Sequence, residues 1–167
     1  MEITTDVLLR GTAWNKAIDS LSSIFSVRTN YSIFMLALSI GIMYDQRIDQ
    51  PDSLGENDRT VPRNVMTNND NGRLDYMFQA AILSTRTESY TEDQRLEYAF
   101  GDSAPINKMS FLTQFANFGV TKLVELIGQT DLESMDNIKN FLIATVEGRN
   151  LEIDSLPDDL LLAEYEE

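Results

Sequence analysis

The most apolar part of the chain is residues 30–47, which read "NYSIFMLALSIGIMYDQR". The apolar run within it, residues 31–43, is shorter than the roughly 20 residues that a helix needs to cross a bilayer. Its apolar side chains follow no one-sided pattern, so a helix formed here is apolar all round. We therefore predict a helix enclosed by the other helices of one domain, without membrane contact.

Composition indicates one globular domain and restricts its chemistry. The sequence has 167 residues, of which 43% are hydrophobic and 24% charged, values typical of a chain with a single core. It contains neither cysteine nor histidine. Disulfides, thiolate metal sites, cysteine nucleophiles and histidine-dependent triads or metal sites therefore cannot be built from it. The lack of cysteine suits a reducing compartment, and we predict a cytoplasmic location.

The charge balance argues against direct nucleic-acid binding by this chain alone. There are 13 basic against 27 acidic side chains, a net charge of -14. Such an excess repels phosphates at long range unless a local basic patch overcomes it. The lysines and arginines are scattered singly along the sequence, so no such patch is predicted.

Apolar residues at helical spacing predict a mainly α protein, a compact bundle of about five or six helices over residues 1–148. Thr91 and Gln94 have capping-box spacing, so a short helix is predicted over residues 92–100, with Leu96 and Phe100 facing inward. The longest pattern has Gly119 at its middle, which predicts a close helix–helix approach; the alternative is a kink. The predicted helices cover residues 12–30, 31–43, 72–85, 92–100, 107–129 and 134–147.

Residues 46–71 are rich in Asp, Asn and Pro, which is typical of a long surface loop. A short extended piece at residues 60–66 allows a β-ribbon within it. The run "NNDNG" at residues 68–72 resembles the start of a calcium loop, but its twelfth position is Phe78, which cannot bind the ion. We expect a turn there, with Asp70 or Asn71 capping the next helix.

Residues 149–167 form a predicted acidic C-terminal tail. From Glu147 onward there are eight acidic residues and one arginine, a net charge of -7. The stretch "LPDDLLLAEYEE" places leucines between carboxylates. It is either a solvated tail or a docking peptide, with leucines for a groove and carboxylates for a basic rim. The candidate contact residues are Asp158, Asp159, Leu160, Leu161, Leu162 and Tyr165.

Four further residues flank the long loop and are candidate partner contacts, because aromatic and arginine side chains dominate interface energetics. They are Tyr44, Arg47, Arg59 and Arg63. The alternative is that they are ordinary surface residues.

No catalytic, cofactor or metal site is assigned from the sequence. Asp45 with Asp49, and Asp131 with Glu133 or Asp136, have spacings that could pair carboxylates. Such pairs arise by chance among 27 acidic residues, and a solvated face is the commoner outcome. Neither a P-loop, nor a dinucleotide fingerprint, nor a serine elbow occurs in the sequence.

Three stretches carry a resemblance to a known family. They are residues 31–47, residues 111–127 with the core "FANFG", and residues 135–148, "MDNIKNFLIATVEG". They resemble the small accessory proteins encoded beside bacterial DNA phosphorothioation-dependent restriction genes. The family pattern has a second glycine where this chain has Phe118. The resemblance implies a component of an antiphage restriction or modification locus that works beside ATPase or nuclease subunits, and it carries over no active site.

These observations leave three functional hypotheses. The leading one is a non-enzymatic accessory subunit of a bacterial antiviral defence complex, acting by protein–protein interaction without cofactor or small-molecule substrate. The second is an acidic DNA mimic, an inhibitor or antitoxin-like protein whose carboxylates imitate phosphates. The third is a small magnesium-dependent enzyme that uses carboxylates.

Overall fold

A computed structural model describes residues 3–51, 58–101 and 105–146, with the side chain of Val146 excluded. The prediction of a mainly α fold is confirmed: the described residues form seven helices and one two-stranded antiparallel sheet. The predicted tail, residues 149–167, lies outside the described residues. The elements in chain order are β1 Val7–Leu9, α1 Thr12–Leu21, α2 Thr29–Tyr44, β2 Arg59–Val61, α3 Arg63–Asn69, α4 Arg73–Ser84, α5 Glu92–Phe100, α6 Lys108–Glu125 and α7 Asp131–Val146.

Helix α2 is the apolar stretch that opens the sequence analysis, and it is enclosed as predicted. Every residue from position 29 to 45 is buried or partly buried. The helix lies between two non-glycine residues of left-handed conformation, Arg28 with a φ of 58° and Asp45 with a φ of 49°. The N–H of Asp45 donates to the carbonyls of Gly41 and Ile42 and so ends the helix. No helix among the described residues has the length and apolarity to span a bilayer.

Helices α2 and α6 touch backbone to backbone. Gly119 of α6 lies so close to the Ala37 carbonyl of α2 that a Cβ atom there would overlap it. Gly41 of α2 lies equally close to the Phe115 carbonyl of α6. The close approach predicted at Gly119 is confirmed, and α6 runs through this position without interruption.

A buried amide joins α1 and α6 to the segment after α2. Trp14 is fully buried, and its indole N–H donates to the side-chain oxygen of Asn117 at 3.0 Å. The amide nitrogen of Asn117 donates to the Asp49 carbonyl at 2.7 Å. Trp14 also stacks on Phe34, with ring centroids 6.4 Å apart. Asn117 therefore satisfies polar groups of two other parts of the chain inside the core.

The interpretation of residues 46–71 as one long loop is wrong in its second half. Only the start of the extended piece predicted at residues 60–66 is a strand, and it belongs to β2. This strand pairs with β1, with Val61 opposite Val7. Residues 63–69 form helix α3 instead. Pro62 separates the two elements, and the Asp6 carboxylate accepts a hydrogen bond from the Arg63 N–H at 2.7 Å. A carboxylate distant in sequence therefore caps the start of α3.

The turn predicted at "NNDNG" is confirmed, with Asp70 in the capping role. The Asp70 carboxylate accepts hydrogen bonds from the N–H groups of Gly72, at 3.1 Å, and Leu74, at 2.8 Å. Asn71 and Gly72 have positive φ angles of 48° and 80°. Both residue types tolerate this conformation, which turns the chain from α3 into α4.

Helix α5 begins at the predicted residue, but a different side of it faces the core. The Thr91 hydroxyl accepts from the Gln94 N–H at 3.2 Å, and the Gln94 side chain accepts from the Thr91 N–H at 2.9 Å, which confirms the capping box. The inward orientation predicted for Leu96 and Phe100 is wrong, since they are 48% and 63% exposed. Ala99 is the buried residue of this helix, because a small side chain allows α5 to lie close against its neighbour.

We expect Gly119→Ala to destabilise the protein although alanine is the better helix former. In open space this change favours a helix by about 1 kcal/mol. Here the added methyl group meets the Ala37 carbonyl, so we expect the free energy of unfolding to fall by about 1–3 kcal/mol in urea titrations. Asn140→Ala, at an exposed position of α7, is the control and should change stability by no more than about 0.5 kcal/mol. An unchanged or increased stability of Gly119→Ala would contradict the close contact.

Candidate functional site

Arg47, a predicted partner contact, is largely used inside the fold. Its guanidinium lies 4.6 Å from the ring centroid of Phe111 and 5.5 Å from that of Phe115. It pairs with the Glu88 carboxylate and donates to the Thr87 hydroxyl at 3.3 Å. The Nε atom is buried without a partner in the described part of the chain. Arg47 thus ties the segment after α2 to the loop after α4.

Tyr44 and Arg59 also have neighbours within the molecule. The Tyr44 ring stacks on Phe141 of α7, with centroids 6.3 Å apart, and tilts against Phe118 of α6 at 5.8 Å. Arg59 pairs with the Asp19 carboxylate at 2.6 Å. This ion pair is exposed, and such pairs contribute about 0–1 kcal/mol. Tyr44 is therefore part of the packing between helices.

Arg63 is the most accessible of the four predicted contacts. Its side chain is exposed, and its guanidinium donates to the Thr4 carbonyl at 3.4 Å. The four residues do not share one set of neighbours. Tyr44 and Arg47 contact α6, α7 and the loop after α4, whereas Arg59 and Arg63 contact α1 and the N-terminal segment. The predicted contacts of the tail, Asp158 to Leu162 and Tyr165, lie outside the described residues.

Helix α7 is anchored along one side. Ser134, Ile138 and Thr145 are buried, and the Asn137 amide donates to the Leu126 carbonyl at 3.1 Å. Phe141 adds the contact with Tyr44 and, like Leu142, is partly buried against the core. These positions follow the helical period, so one face of α7 is held on the body of the protein.

The opposite side of α7 exposes three large apolar side chains together with charged ones. Leu132 is 69% exposed, Met135 50% and Ile143 46%. Their spacing, with Lys139 between Met135 and Ile143, places these four side chains along one face, which we call the α7 outer face. Asp136 is an exposed neighbour on the same helix. A second apolar stripe, out of phase with the buried positions of this helix, was the signal that the sequence analysis missed.

Tyr31, in the first turn of α2, has a buried hydroxyl that lies near the side chains of Asp70 and Arg73. Burial raises the pKa of Tyr31 above its ordinary value of 10.0, and the nearby Asp70 carboxylate raises that pKa further. The positive charges of Arg73 and Arg28 oppose the shift in pKa. Ionisation of Tyr31 is therefore disfavoured in the folded protein.

Asp45 and Asp49, one of the carboxylate pairs considered from the sequence, have different hydrogen-bond partners. The Asp45 carboxylate accepts from the Arg86 N–H at 2.6 Å, and the Asp49 carboxylate accepts from the Gln114 amide at 2.8 Å. Across residues 3–51, 58–101 and 105–146, no three acidic side chains come close enough together to hold a metal ion.

Comparison with known proteins finds no family model, curated protein or solved structure that matches this chain.

We expect Arg47→Ala to lower the free energy of unfolding by about 2 kcal/mol, because it removes a partly buried ion pair and a cation–π contact. Arg63→Ala is the matched control and should stay within about 0.5 kcal/mol of the wild type. Chemical denaturation of the three proteins measures the difference. Equal stability of all three would show that Arg47 has no structural role.

We expect Tyr31→Phe to reduce the loss of stability at alkaline pH. Unfolded Tyr31 ionises near its ordinary pKa of 10.0, whereas in the folded protein its pKa is higher. The contribution of Tyr31 to the free energy of unfolding is therefore fully present below pH 10. It is lost as the pH rises through the higher pKa of the folded state. Phenylalanine does not ionise, so the variant does not show this loss. Denaturation at a series of pH values should show the stability of the variant increasing relative to that of the wild type above pH 10. A constant difference across the range would contradict the shift.

Proposed function

We propose that this protein is a non-enzymatic accessory subunit of a bacterial antiphage defence or DNA restriction–modification complex, located in the cytoplasm. In this proposal it binds an ATPase or nuclease subunit through the α7 outer face and the acidic tail that follows. One observation carries the proposal: three large apolar side chains, Leu132, Met135 and Ile143, are exposed on one face of a helix whose other face is held against the core.

The α7 outer face has the form of a helix that docks in an apolar groove. Leu132 and Ile143 are eleven residues apart, which corresponds to about 16 Å along a helix. Groove-binding helices place apolar anchors on one face in this way, and here Lys139 occupies the position between Met135 and Ile143. Because α7 is already folded and held against the core, binding does not have to order it, which favours affinity.

The charges around this face indicate the chemistry of the partner. The helix carries Asp131, Glu133 and Asp136 against the single Lys139. The next residues in sequence add eight carboxylates and one arginine, together with the leucines at positions 160–162. A partner with an apolar groove and a basic rim complements both parts, and such complementarity raises the association rate.

The defence context comes from the resemblance of three stretches, which correspond to α2, α6 and α7. Within them, Gly41 and Gly119 form the central helix contact and Asn117 bridges the core. The similar residues therefore build the scaffold, whereas the contact in our proposal comes from the side of α7 that the scaffold leaves exposed.

We expect the double variant Leu132→Glu, Ile143→Glu to lose binding to a neighbouring subunit by at least about a hundredfold, because truncation of central apolar anchors costs 2 kcal/mol or more each. Co-expression with the products of the adjacent genes, followed by size-exclusion chromatography and titration, measures this. The matched control is Tyr76→Glu, Leu83→Glu, which alters two exposed apolar residues of α4.

Two results would contradict the proposal. One is separate elution of the wild-type chain from every neighbouring product at micromolar concentration. The other is equal binding by the α7 variant and the α4 control. Deletion of residues 154–167 separates the contribution of the tail: it should leave the melting temperature unchanged, weaken binding, and reduce the dependence of binding on salt.

A further inference from the structure

A groove of about 320 Å³ lies between β1 and the first turns of α6. Residues 5–8 line one side of it, residues 107–117 line the other, and the segment after α2 adds Asp49. No residue of β2 belongs to the lining, so the groove borders the edge of β1 that β2 leaves uncovered. We call it the β1 edge groove.

The register of the sheet determines which backbone groups join β1 to β2. Opposite residues of an antiparallel pair alternate between exchanging two backbone hydrogen bonds and exchanging none. If Val7 and Val61 exchanged none, the residue after Val61 would have to donate to the carbonyl before Val7. That residue is Pro62, which has no N–H, so Val7 and Val61 are a bonded pair. The next pair, Leu8 and Thr60, therefore exchanges no backbone hydrogen bond.

Leu8 accordingly directs its N–H and C=O away from β2, toward the free edge of β1. The Thr60 carbonyl points the opposite way and accepts from the Asn30 side chain at 2.8 Å. In the part of the chain that the structure describes, no group accepts from the Leu8 N–H or donates to its C=O. The Leu8 side chain is 46% exposed. Unpaired main-chain groups at a sheet edge are complementary to the main chain of another strand.

Two carboxylates give the β1 edge groove a negative charge. One oxygen of Asp6 accepts from the Arg63 N–H at 2.7 Å, and one oxygen of Asp49 accepts from the Gln114 amide at 2.8 Å. Neither carboxylate forms an ion pair with a lysine or arginine of the described residues, and no cation is among the lining residues. A strand with lysine or arginine side chains complements this charge, whereas an acidic segment or a nucleic acid is repelled.

Two other occupants fit the β1 edge groove less well. A second copy of this chain would bring the same carboxylates and a net charge of -14 to the contact. An anion at the start of α6 would compete with the helix itself. The Ser110 N–H donates to the Asn107 side chain at 2.9 Å, and the Phe111 N–H donates to the Asn107 carbonyl at 2.9 Å.

We propose that the β1 edge groove receives a basic, extended segment of a partner protein, which adds to β1 as a third strand. In this arrangement the main chain of the segment pairs with the N–H and C=O of Leu8. Its lysine or arginine side chains reach Asp6 and Asp49. This contact is separate from the α7 outer face, so its failure leaves the α7 proposal intact.

Titration of the full ¹⁵N-labelled chain with a basic peptide tests the proposal. The probe is the blocked hexapeptide acetyl-Lys-Val-Lys-Val-Lys-Val-amide, taken to about 5 mM, a range suited to millimolar dissociation constants. We expect a saturable shift of the Leu8 amide resonance and slower hydrogen exchange at that amide, while amides of α5 do not move. The acidic counterpart acetyl-Glu-Val-Glu-Val-Glu-Val-amide should bind at least about tenfold more weakly. No shift at Leu8, or equal binding of the two peptides, would overturn the proposal.

Leu8→Pro tests recognition through the main chain. It removes the outward N–H, and because that N–H is not bonded to β2, the ladder keeps its hydrogen bonds. Leu8→Ala is the matched control, since it also shortens the side chain but keeps the N–H. We expect Leu8→Pro to bind the probe at least about tenfold more weakly than Leu8→Ala, because a donor is lost and the ring obstructs the incoming strand. Equal affinity of the two variants would contradict strand addition. If Leu8→Pro does not fold, the Leu8 amide of the wild type and the charge variants decide.

Charge variants test the preference for a basic segment. Asp6→Asn with Asp49→Asn removes two charges and keeps an amide oxygen for each present donor. The matched control is Glu92→Gln with Asp93→Asn, the same change of net charge at exposed residues of α5. At low ionic strength the groove variant should bind the basic probe about fivefold more weakly than the control, and the difference should vanish at about 1 M salt. Equal affinity of the two would show that net charge alone attracts the probe, and it would overturn the proposal.

Discussion

The contact between the backbones of α2 and α6 is the constraint on which the rest of the structure depends. At Gly41 and Gly119 the two helices approach so closely that neither position has room for a Cβ atom. Side chains on all sides of α2 are then covered, which explains a helix that is apolar all round. The same contact places Asn117 where it can accept from Trp14 and donate to the Asp49 carbonyl.

The positions of the other helices follow from this pair. Tyr44, at the end of α2, contacts Phe118 of α6 and Phe141 of α7, so α7 is held by the same two helices. With its inner face fixed, α7 presents Leu132 and Ile143 to solvent. This exposed apolar face on an anchored helix is the observation from which the proposed docking function is argued.

Local patterns in the sequence predicted those features that local chemistry determines. The capping box at Thr91, the enclosure of α2 and the close approach at Gly119 all follow from residue types at fixed spacing. Helix α3 was missed because its residues are typical of a loop, and its cap, Asp6, is 57 positions away in sequence. The role of Arg47 was likewise hidden, since Phe111 and Glu88 come from distant parts of the chain.

Hydrogen–deuterium exchange of the free chain and of its complex with a neighbouring gene product tests the central claim most directly. If α2 and α6 form a rigid body that presents α7, amides of α2 and α6 should exchange slowest in both samples. New protection in the complex should then appear in α7 and in the residues that follow it. Exchange in α6 as fast as in α5, or new protection elsewhere with α7 unchanged, would contradict this organisation.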